Sequence, residues 1–238
     1  MKIALLGYGK MGKVIEKIAL ERGHEIVLRK SRDSTYEGLE NADVAIDFSI
    51  PDSAVCNIKQ CFDTNVPVVC GTTGWLEHYN EMVSLCESKN GGFIYGSNFS
   101  LGVNIFFELN TYLAKMMSNL KQYKVSMEEI HHTQKLDAPS GTAISLAKGI
   151  IEAQNFGTDY TSWTLENPTE KEIYIDAKRI ENVPGTHSVF YDSSVDQIEI
   201  KHTAHSREGF ALGAVIAAEW LQHKKGVFTM KDVLNLDL

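Results

Sequence analysis

The chain has 238 residues, 43% of them hydrophobic and 23% charged, which allows one large domain or two small ones around a buried core and excludes a disordered chain. Its 31 acidic side chains outnumber the 23 basic ones, and the formal net charge of -8 argues against broad electrostatic binding to nucleic acid or to an anionic membrane. The cysteines have neither a CxxC pair nor zinc-ligand spacing, so reduced thiols are expected at Cys56, Cys61, Cys70 and Cys86.

Residues 1–102 alternate short apolar runs with helical patterns. Strands are predicted in KIALLG, HEIVLR, ADVAIDFS, VPVVCG and GFIYG, with a first helix that closes at Gly23 and a second that begins at Pro51. Strands that are apolar throughout and are spaced by helices indicate a parallel sheet covered on both faces. This part of the chain therefore predicts an α/β fold, a doubly wound dinucleotide-binding domain.

From residue 103 the sequence follows a different pattern. A long helix, LGVNIFFELNTYLAKMMSNL, is followed by segments with a two-residue period, which predict half-exposed strands in QYKVSMEEIHH, EIYIDAKRI, THSVFYD and DQIEIKHTA. One helix, GTAISLAKGIIEAQN, interrupts these strands. Residues 103–206 therefore predict an α+β domain with an open mixed sheet. The Ala-rich helix GFALGAVIAAEWLQHKKG and the closing FTMKDVL predict that residues 207–238 return to the first domain.

The apolar run at the N-terminus is too short for a signal peptide. No later segment approaches the roughly 20 apolar residues that a membrane-spanning helix needs. A cytoplasmic location is therefore expected.

The sequence GYGKMG is a G-x-G-x-x-G pattern directly after a strand and at the start of a helix. In such a motif Gly7 allows the tight turn, Gly9 lets backbone N–H groups approach a pyrophosphate, and Gly12 lets helix and strand pack closely. The helix N-terminus adds partial positive charge. Cofactor contacts are predicted for Gly7, Tyr8, Gly9, Lys10, Met11 and Gly12.

The second strand ends in Arg29 and Lys30, where a domain of this kind normally carries an acidic residue that holds the ribose hydroxyls. A carboxylate would repel a 2′-phosphate and these cations would attract one, so NADPH is expected to bind at least as well as NADH. Turns beyond strands four and five should reach the nicotinamide, because ligands of open α/β sheets bind at the carboxyl ends of the strands. Their predicted cofactor-binding residues are Gly71, Thr72, Thr73, Ser97, Asn98, Phe99 and Ser100.

The segment HHTQKLDAPSGTA, residues 131–143, concentrates proton-handling and anion-binding groups. A histidine can deliver or take a proton near neutral pH. The N–H groups at a helix start near Ser140, with the positive charge of Lys135, can hold a carboxylate. Asp137 and Pro139 are expected to shape the turn, and Asp137 to fix the lysine.

A metal site is not predicted for the histidine pairs. On a strand His131 and His132 face opposite sides, which is poor geometry for binding one ion together. The pair His202 and His205 is no better placed on or near its strand.

The segment EEIHHTQKLDAPSGTA resembles the signature of the dihydrodipicolinate reductases (4-hydroxy-tetrahydrodipicolinate reductases) of bacterial lysine biosynthesis, and every defining position matches. Further motifs follow in family order over the whole chain: GYGKMG, AIDFS, VVCGTTG, SNFSLGVN, VPGTHSV and FALGAVIAAEWL. The resemblance implies reduction of a cyclic imine dicarboxylate to tetrahydrodipicolinate with NADPH or NADH. It also implies a homotetramer, which in this family usually forms through the second-domain sheets. The chain departs from the family pattern at Lys10, Arg29 and Gly96-Ser97.

The resemblance also assigns roles to residues. His131 would donate or accept the proton with Lys135 as its partner, and the sequence leaves open which of the two delivers it. The substrate carboxylates would be held by His132, Lys135, Gly141 and Thr142. Because cofactor and substrate would bind different domains, hinge closure is expected near residues 100–104 and 206–209.

Two other functions fit parts of the sequence. A different two-domain nicotinamide dehydrogenase, acting on homoserine or a sugar, would share the first motif but would not need HHxxKxDAPSGT. A regulator that senses NADPH without turnover could dispense with the histidine–lysine pair. NADPH oxidation with and without the dicarboxylate discriminates between these functions.

Overall fold

The computed structural model describes residues 1–153, 160–206 and 208–236. The chain divides into two compact units, one of Met1–Leu101 with Glu208–Leu238 and one of Gly102–Arg207. The predicted second domain lies at 103–206, and the predicted boundary residue Arg207 lies outside the described residues.

Strands and helices alternate in the first half of the chain. They are β1 (Lys2–Leu6), α1 (Lys10–Glu21), β2 (Glu25–Lys30), β3 (Val44–Asp47), α2 (Pro51–Asp63), β4 (Val68–Cys70), α3 (Tyr79–Ser88), β5 (Gly92–Tyr95) and α4 (Leu101–Met117). The second half contains β6 (Lys124–His131), α5 (Gly141–Ala153), β7 (Ser162–Thr164), β8 (Glu172–Arg179), β9 (Gly185–Asp192), β10 (Gln197–Ala204), α6 (Glu208–Leu221), β11 (Gly226–Phe228) and α7 (Met230–Leu234).

The first unit is built on a six-stranded parallel sheet with the order β11-β5-β4-β3-β1-β2. Alternate residues of β1 enter different cores: Ile3 and Leu5 pack with α1 and α6, and Ala4 and Leu6 pack with α2 and α3. A strand buried on both faces has to be apolar throughout, which is why the sequence shows continuous runs here. The predicted doubly wound parallel sheet is confirmed.

The C-terminal part of this unit differs in detail from the prediction. The predicted last helix ends earlier, at Leu221, and a sixth strand, β11, lies between it and most of the predicted closing segment and pairs in parallel with β5. Three residues are too few to show a period. The short helix α7 starts at a capping box. The Thr229 hydroxyl accepts a hydrogen bond from the Lys231 backbone N–H, and the Asp232 carboxylate accepts one from the Thr229 backbone N–H.

The second unit contains a mixed sheet with the order β10-β9-β6-β8-β7. Strand β6 pairs antiparallel with β9 and parallel with β8, so the predicted open mixed sheet is confirmed. Apolar residues of α4, α5, β6 and β8 form one core that includes Phe106, Leu146, Val125 and Ile175. Strand β7 was not predicted, and the predicted end of α5 at residues 154 and 155 lies outside the described residues.

Among the described residues, no helix is both long and apolar enough to cross a bilayer.

Candidate active site

The central strand of the second sheet carries two ionisable groups on its buried face. Burial alternates strictly along β6, and Val125 and Met127 are followed on the same face by Glu129 and His131. Successive side chains of a strand point to opposite faces, so residues two apart lie side by side. Glu129 is fully buried and His131 is 8% exposed at the strand end. His132 directly follows the last residue of β6 and is half-buried.

The Glu129 carboxylate is held at one oxygen by two donors. Its Oε1 accepts hydrogen bonds from the Ser140 backbone N–H and from Arg179 Nη2, both at 3.1 Å. Arg179 is the last residue of β8, in register with His131, and it also donates to the backbone carbonyls of Lys135 and Asp137. One guanidinium therefore ties the carboxylate to the loop that follows β6.

The other carboxylate oxygen faces two imidazoles. Glu129 Oε2 lies 3.2 Å from His131 Nδ1, an ion-pair distance without the alignment of a hydrogen bond in this structure, and 3.7 Å from His187 Nε2. The two rings meet edge to face with centroids 5.0 Å apart. His187 is opposite Glu129 in the β6–β9 register, and His202 is opposite His187 on β10, so three ionisable residues form a row across the sheet.

The charges of this cluster follow from burial and pairing. Burial raises the pKa of the Glu129 carboxyl, but the interactions with His131 and Ser140 outweigh burial and bring the pKa to about 2. Burial lowers the pKa of His187 to about 3, and the charge of His131 acts in the same direction. At neutral pH the cluster therefore holds an ionised carboxylate beside a neutral His187.

The loop from β6 to α5 presents the cationic group of the motif. Lys135 Nζ donates to both carboxylate oxygens of Asp137 at 2.8 Å, and this contact lowers the pKa of Asp137. The lysine side chain is 21% exposed and the aspartate side chain 62%. The lysine therefore already binds a carboxylate that faces solvent.

The loop leads into the N-terminus of α5. Ser140 Oγ accepts a hydrogen bond from the Ala143 N–H, as a helix cap does, and lies 3.1 Å from His187 Nε2. Gly141 and Thr142 occupy the first turn of the helix, where the dipole favours an anion. The predicted proton donor and the predicted carboxylate-holding residues thus belong to one continuous segment that ends on a helix start.

The same cluster has spacing that a metal ion could use, because donor atoms of Glu129, His131 and His187 lie within 4.8 Å of one another. The guanidinium of Arg179 already neutralises that carboxylate. A divalent ion on the same carboxylate would meet twice the repulsion that a singly charged imidazolium meets there. We assign no metal to this cluster.

The glycine motif shows the geometry that a dinucleotide needs. Gly7 has φ +97°, and a Cβ there would lie 2.2 Å from the Phe48 carbonyl oxygen. A Cβ on Gly12 would lie 2.4 Å from the Gly7 carbonyl oxygen, so both positions require glycine. Lys10 and Met11 open α1, directly after Gly9. A cavity of about 360 Å³ lies against this loop, and its lining includes Gly7, Tyr8, Gly9, Lys30 and Arg32. These residues fit a bound nucleotide.

Arg29 is engaged outside that cavity. Its Nε donates to Glu16 Oε1 at 2.7 Å, and the same carboxylate accepts a hydrogen bond from the Tyr8 hydroxyl. The hydrogen bond from Arg29 lowers the pKa of Glu16. Lys30 lines the cavity and lies over the Tyr36 ring at 4.6 Å. Arg29 and Lys30, which are adjacent in the sequence and were predicted to act together, therefore lie in different surroundings: Arg29 pairs with Glu16 and Lys30 lines the cavity.

The turns after β4 and β5 follow the carboxyl ends of neighbouring strands. Thr72 is buried and its hydroxyl donates to Asp47 Oδ2 at 3.2 Å, while the Phe99 ring packs in the core beside Phe48. Their side chains hold the turns, and the remaining predicted residues of the turns, Gly71, Thr73, Ser97, Asn98 and Ser100, are half-buried or exposed.

Sequence reasoning missed three residues of the cluster. Glu129 had a local signal, since it stands two residues before His131 on a strand. Arg179 and His187 had none, because only the pairing of β6 with β8 and β9 brings them to this place.

Two family models together match almost the whole chain. The model described as dihydrodipicolinate reductase, N-terminus, matches residues 1–99, and the one described as dihydrodipicolinate reductase, C-terminus, matches residues 102–234.

Similar proteins carry the same description. A 4-hydroxy-tetrahydrodipicolinate reductase of Christiangramia forsetii is 57% identical over 99% of this chain and 98% of that relative. One of Thermosipho africanus is 35% identical over 99% and 98% of the two chains. The solved dipicolinate-bound dihydrodipicolinate reductase from Paenisporosarcina sp. TG-14 has the same fold, with a TM-score of 0.79 and 24% identity over 96% of this chain and 97% of that one.

Proposed function

The chain belongs to the dihydrodipicolinate reductase family, and from that premise we propose which of its residues carry out the reaction. The activity is the NAD(P)H-dependent reduction of 4-hydroxy-tetrahydrodipicolinate to tetrahydrodipicolinate in lysine and diaminopimelate biosynthesis. The observation that carries the residue assignment is that one continuous segment holds His131 beside a fixed carboxylate, Lys135 on a carboxylate and the N-terminus of α5.

The substrate carboxylates bind to the segment that follows β6. Lys135, Gly141 and Thr142 form the main anion site, and His132 adds a further donor at its edge. Asp137 supports this role, because its carboxylate holds Lys135 at 2.8 Å as a substrate carboxylate would. The Paenisporosarcina relative is described as dipicolinate-bound, and dipicolinate has the same two carboxylates on a ring.

His131 delivers the proton. Loss of water from the 4-hydroxy substrate leaves the conjugated imine, and bound NAD(P)H would supply the hydride that adds to its ring C4. Negative charge then develops on the ring nitrogen and on the carbon beside the reduced position, and the cations of the site stabilise it. His131 is buried beside a fixed carboxylate, whereas Lys135 is engaged in holding a carboxylate, so the histidine is the better-placed general acid. Fixing both carboxylates orients the ring for the two transfers.

The nucleotide binds against the glycine loop, in the cavity lined by Gly7, Tyr8 and Gly9. The turns at Gly71–Thr73 and Ser97–Ser100 receive the nicotinamide end. A cytoplasmic location suits a reductase that depends on NAD(P)H and has free thiols at all four cysteines. We also propose a homotetramer assembled through the second sheet, whose edge strand β10 is largely exposed.

The activity is tested with freshly generated substrate. The purified chain should oxidise NADPH only when the cyclic dicarboxylate is present, and dipicolinate should inhibit competitively against it. Binding of NADPH without turnover would instead support a sensing regulator. In a soaked crystal, dipicolinate should lie on residues 131–142, and a position elsewhere would refute the assignment.

Cofactor preference depends on Lys30 and Arg32 in this proposal, because Arg29 is paired with Glu16. Replacing Arg32 with alanine should raise the KM for NADPH about 10- to 100-fold and leave the KM for NADH nearly unchanged, since a charge-assisted hydrogen bond to phosphate contributes about 1.5–3 kcal/mol. Steady-state kinetics with each nucleotide give the ratio. Lys13→Ala, an exposed position on α1 outside the cavity, is the matched control. Equal effects of Arg32→Ala on both nucleotides, or a clear preference of the unchanged chain for NADH, would contradict the assignment.

A further inference from the structure

The Glu129 carboxylate lies beside His131, Arg179 and His187, and the proposed function gives it no role of its own. We propose that Glu129 is the positioning residue of the proton donor: its carboxylate holds the His131 imidazole on the Nδ1 side, so that Nε2 presents the proton to the substrate. This inference rests on the proposed role of His131 in proton delivery.

The orientation of the carboxylate is fixed on its far side. Oε1 accepts from the Ser140 N–H and from Arg179 at 3.1 Å each, which leaves Oε2 directed at the imidazoles. Arg179 is anchored independently by the carbonyl oxygens of Lys135 and Asp137. The carboxylate therefore does not have to reorganise when the charge on His131 changes.

Of the two imidazoles, His131 is the one that lies closer to the Glu129 carboxylate. Glu129 Oε2 lies 3.2 Å from His131 Nδ1 and 3.7 Å from His187 Nε2. His187 Nε2 lies closer to Ser140 Oγ, at 3.1 Å. Burial keeps His187 neutral by lowering its pKa to about 3. A neutral neighbour at the longer distance competes little with His131 for Oε2.

The second nitrogen of His131 faces a glycine. A Cβ at Gly185, the first residue of β9, would lie 3.1 Å from Nε2. Any side chain at this position would crowd the nitrogen that must reach the substrate. The sheet thus provides a carboxylate on the Nδ1 side of the ring and a residue without a side chain on the Nε2 side.

Other ionisable groups surround this pair. They are Arg179 on β8, His187 on β9, His202 on β10, and Lys135 and Asp137 on the loop after β6. Arg179 and Lys135 are cations and Asp137 is an anion. Because Glu129 is the buried anion of the set, its removal changes the balance at His131 more than the removal of any exposed group.

The proton balance of the step is simple. The Nε2–H bond breaks as the proton passes to the carbon beside the reduced position, and the imidazolium becomes a neutral imidazole. Solvent returns one proton to Nε2 before the next turnover. Throughout, Nδ1 stays beside Oε2, which lies 3.2 Å away in this structure.

The test is Glu129→Gln. The glutamine amide oxygen can still accept from the Ser140 N–H and Arg179, so its NH₂ group must face His131 Nδ1. A donor at this place requires Nδ1 to be an unprotonated acceptor, and the ring becomes a neutral imidazole that is a poor proton donor. We expect kcat at pH 8 to fall about tenfold or more, while the KM for NADPH is unchanged. The alkaline limb of the pH profile of kcat should move to lower pH.

The matched control is Glu128→Gln, the neighbouring carboxylate on the other face of β6, which pairs with Lys178. It should keep the wild-type pH profile. The proposal would be overturned if the pH profile of Glu129→Gln superimposed on those of the wild type and Glu128→Gln. It would also be overturned if Glu129→Gln lost the same fraction of kcat at every pH.

A second measurement requires no substrate. Nitrogen NMR shifts of the His131 ring, assigned against His131→Gln, should report a protonated Nδ1 in the wild type and an unprotonated Nδ1 in Glu129→Gln at neutral pH. Identical spectra would refute the role of Glu129. If the wild type failed to reduce the dicarboxylate, the proposed function would fall, and these spectra would still decide how Glu129 acts on His131.

Discussion

His131→Ala is expected to lower kcat by about 10²- to 10⁴-fold, the usual contribution of a positioned general acid, and to leave NADPH binding nearly intact. The reason is positional: His131 is held in the second sheet, while the glycine loop that we propose binds the nucleotide belongs to the first unit. The measurements are steady-state kinetics with the dicarboxylate and the fluorescence of bound NADPH.

Lys135→Ala separates the two candidate proton donors. If the lysine holds a substrate carboxylate, its loss removes a charge-assisted hydrogen bond of about 1.5–3 kcal/mol and raises the KM for the dicarboxylate about 10- to 100-fold. The change in kcat should then be smaller than in His131→Ala. A larger fall of kcat in Lys135→Ala would make the lysine the donor.

Lys148→Ala is the control for this pair, because Lys148 is an exposed lysine on α5 away from its N-terminus. It should have wild-type constants. Loss of NADPH affinity as the main defect of His131→Ala would contradict the assignment of His131 to the chemical step.

The first unit could be predicted from the sequence because its signals are local. A strand buried on both faces, a glycine turn and a helix follow one another within Lys2–Glu21, and each leaves its own pattern. Strands β7 and β11 are different. With three residues each they have no period of their own, and their strand character comes from pairing with β8 and β5.

The active site was predictable only along one segment. His131 and Lys135 are part of a contiguous motif, so their proximity follows from the chain itself. The ion pair between Glu129 and Arg179 joins residues 50 positions apart through the parallel register of β6 and β8. The pairing of Arg29 with Glu16 depends likewise on how α1 packs on β2, and a prediction from the strand end alone could not include it.

Gly213→Ala should destabilise the first unit by about 3 kcal/mol or more, at the upper end of what overpacking usually costs. A Cβ at this position of α6 would lie 1.7 Å from the Phe99 carbonyl oxygen and 2.8 Å from its carbonyl carbon. Both atoms are backbone, so either the helix or the turn has to move. For a unit of this size, we expect the melting temperature to fall by roughly 6–12 °C.

The displaced turn connects this prediction to function, because Phe99 lies within the proposed nicotinamide turn Ser97–Ser100. Weaker NADPH binding should therefore accompany the lower melting temperature. Gly209→Ala is the matched control, one helical turn earlier on α6, where the nearest atom to an added Cβ is Ser100 Oγ at 3.7 Å, an ordinary contact. Alanine there should be neutral or stabilise the helix by up to about 1 kcal/mol. Equal melting temperatures and equal NADPH affinities of Gly213→Ala and Gly209→Ala would show that this turn does not depend on the close packing of α6 against the Phe99 backbone.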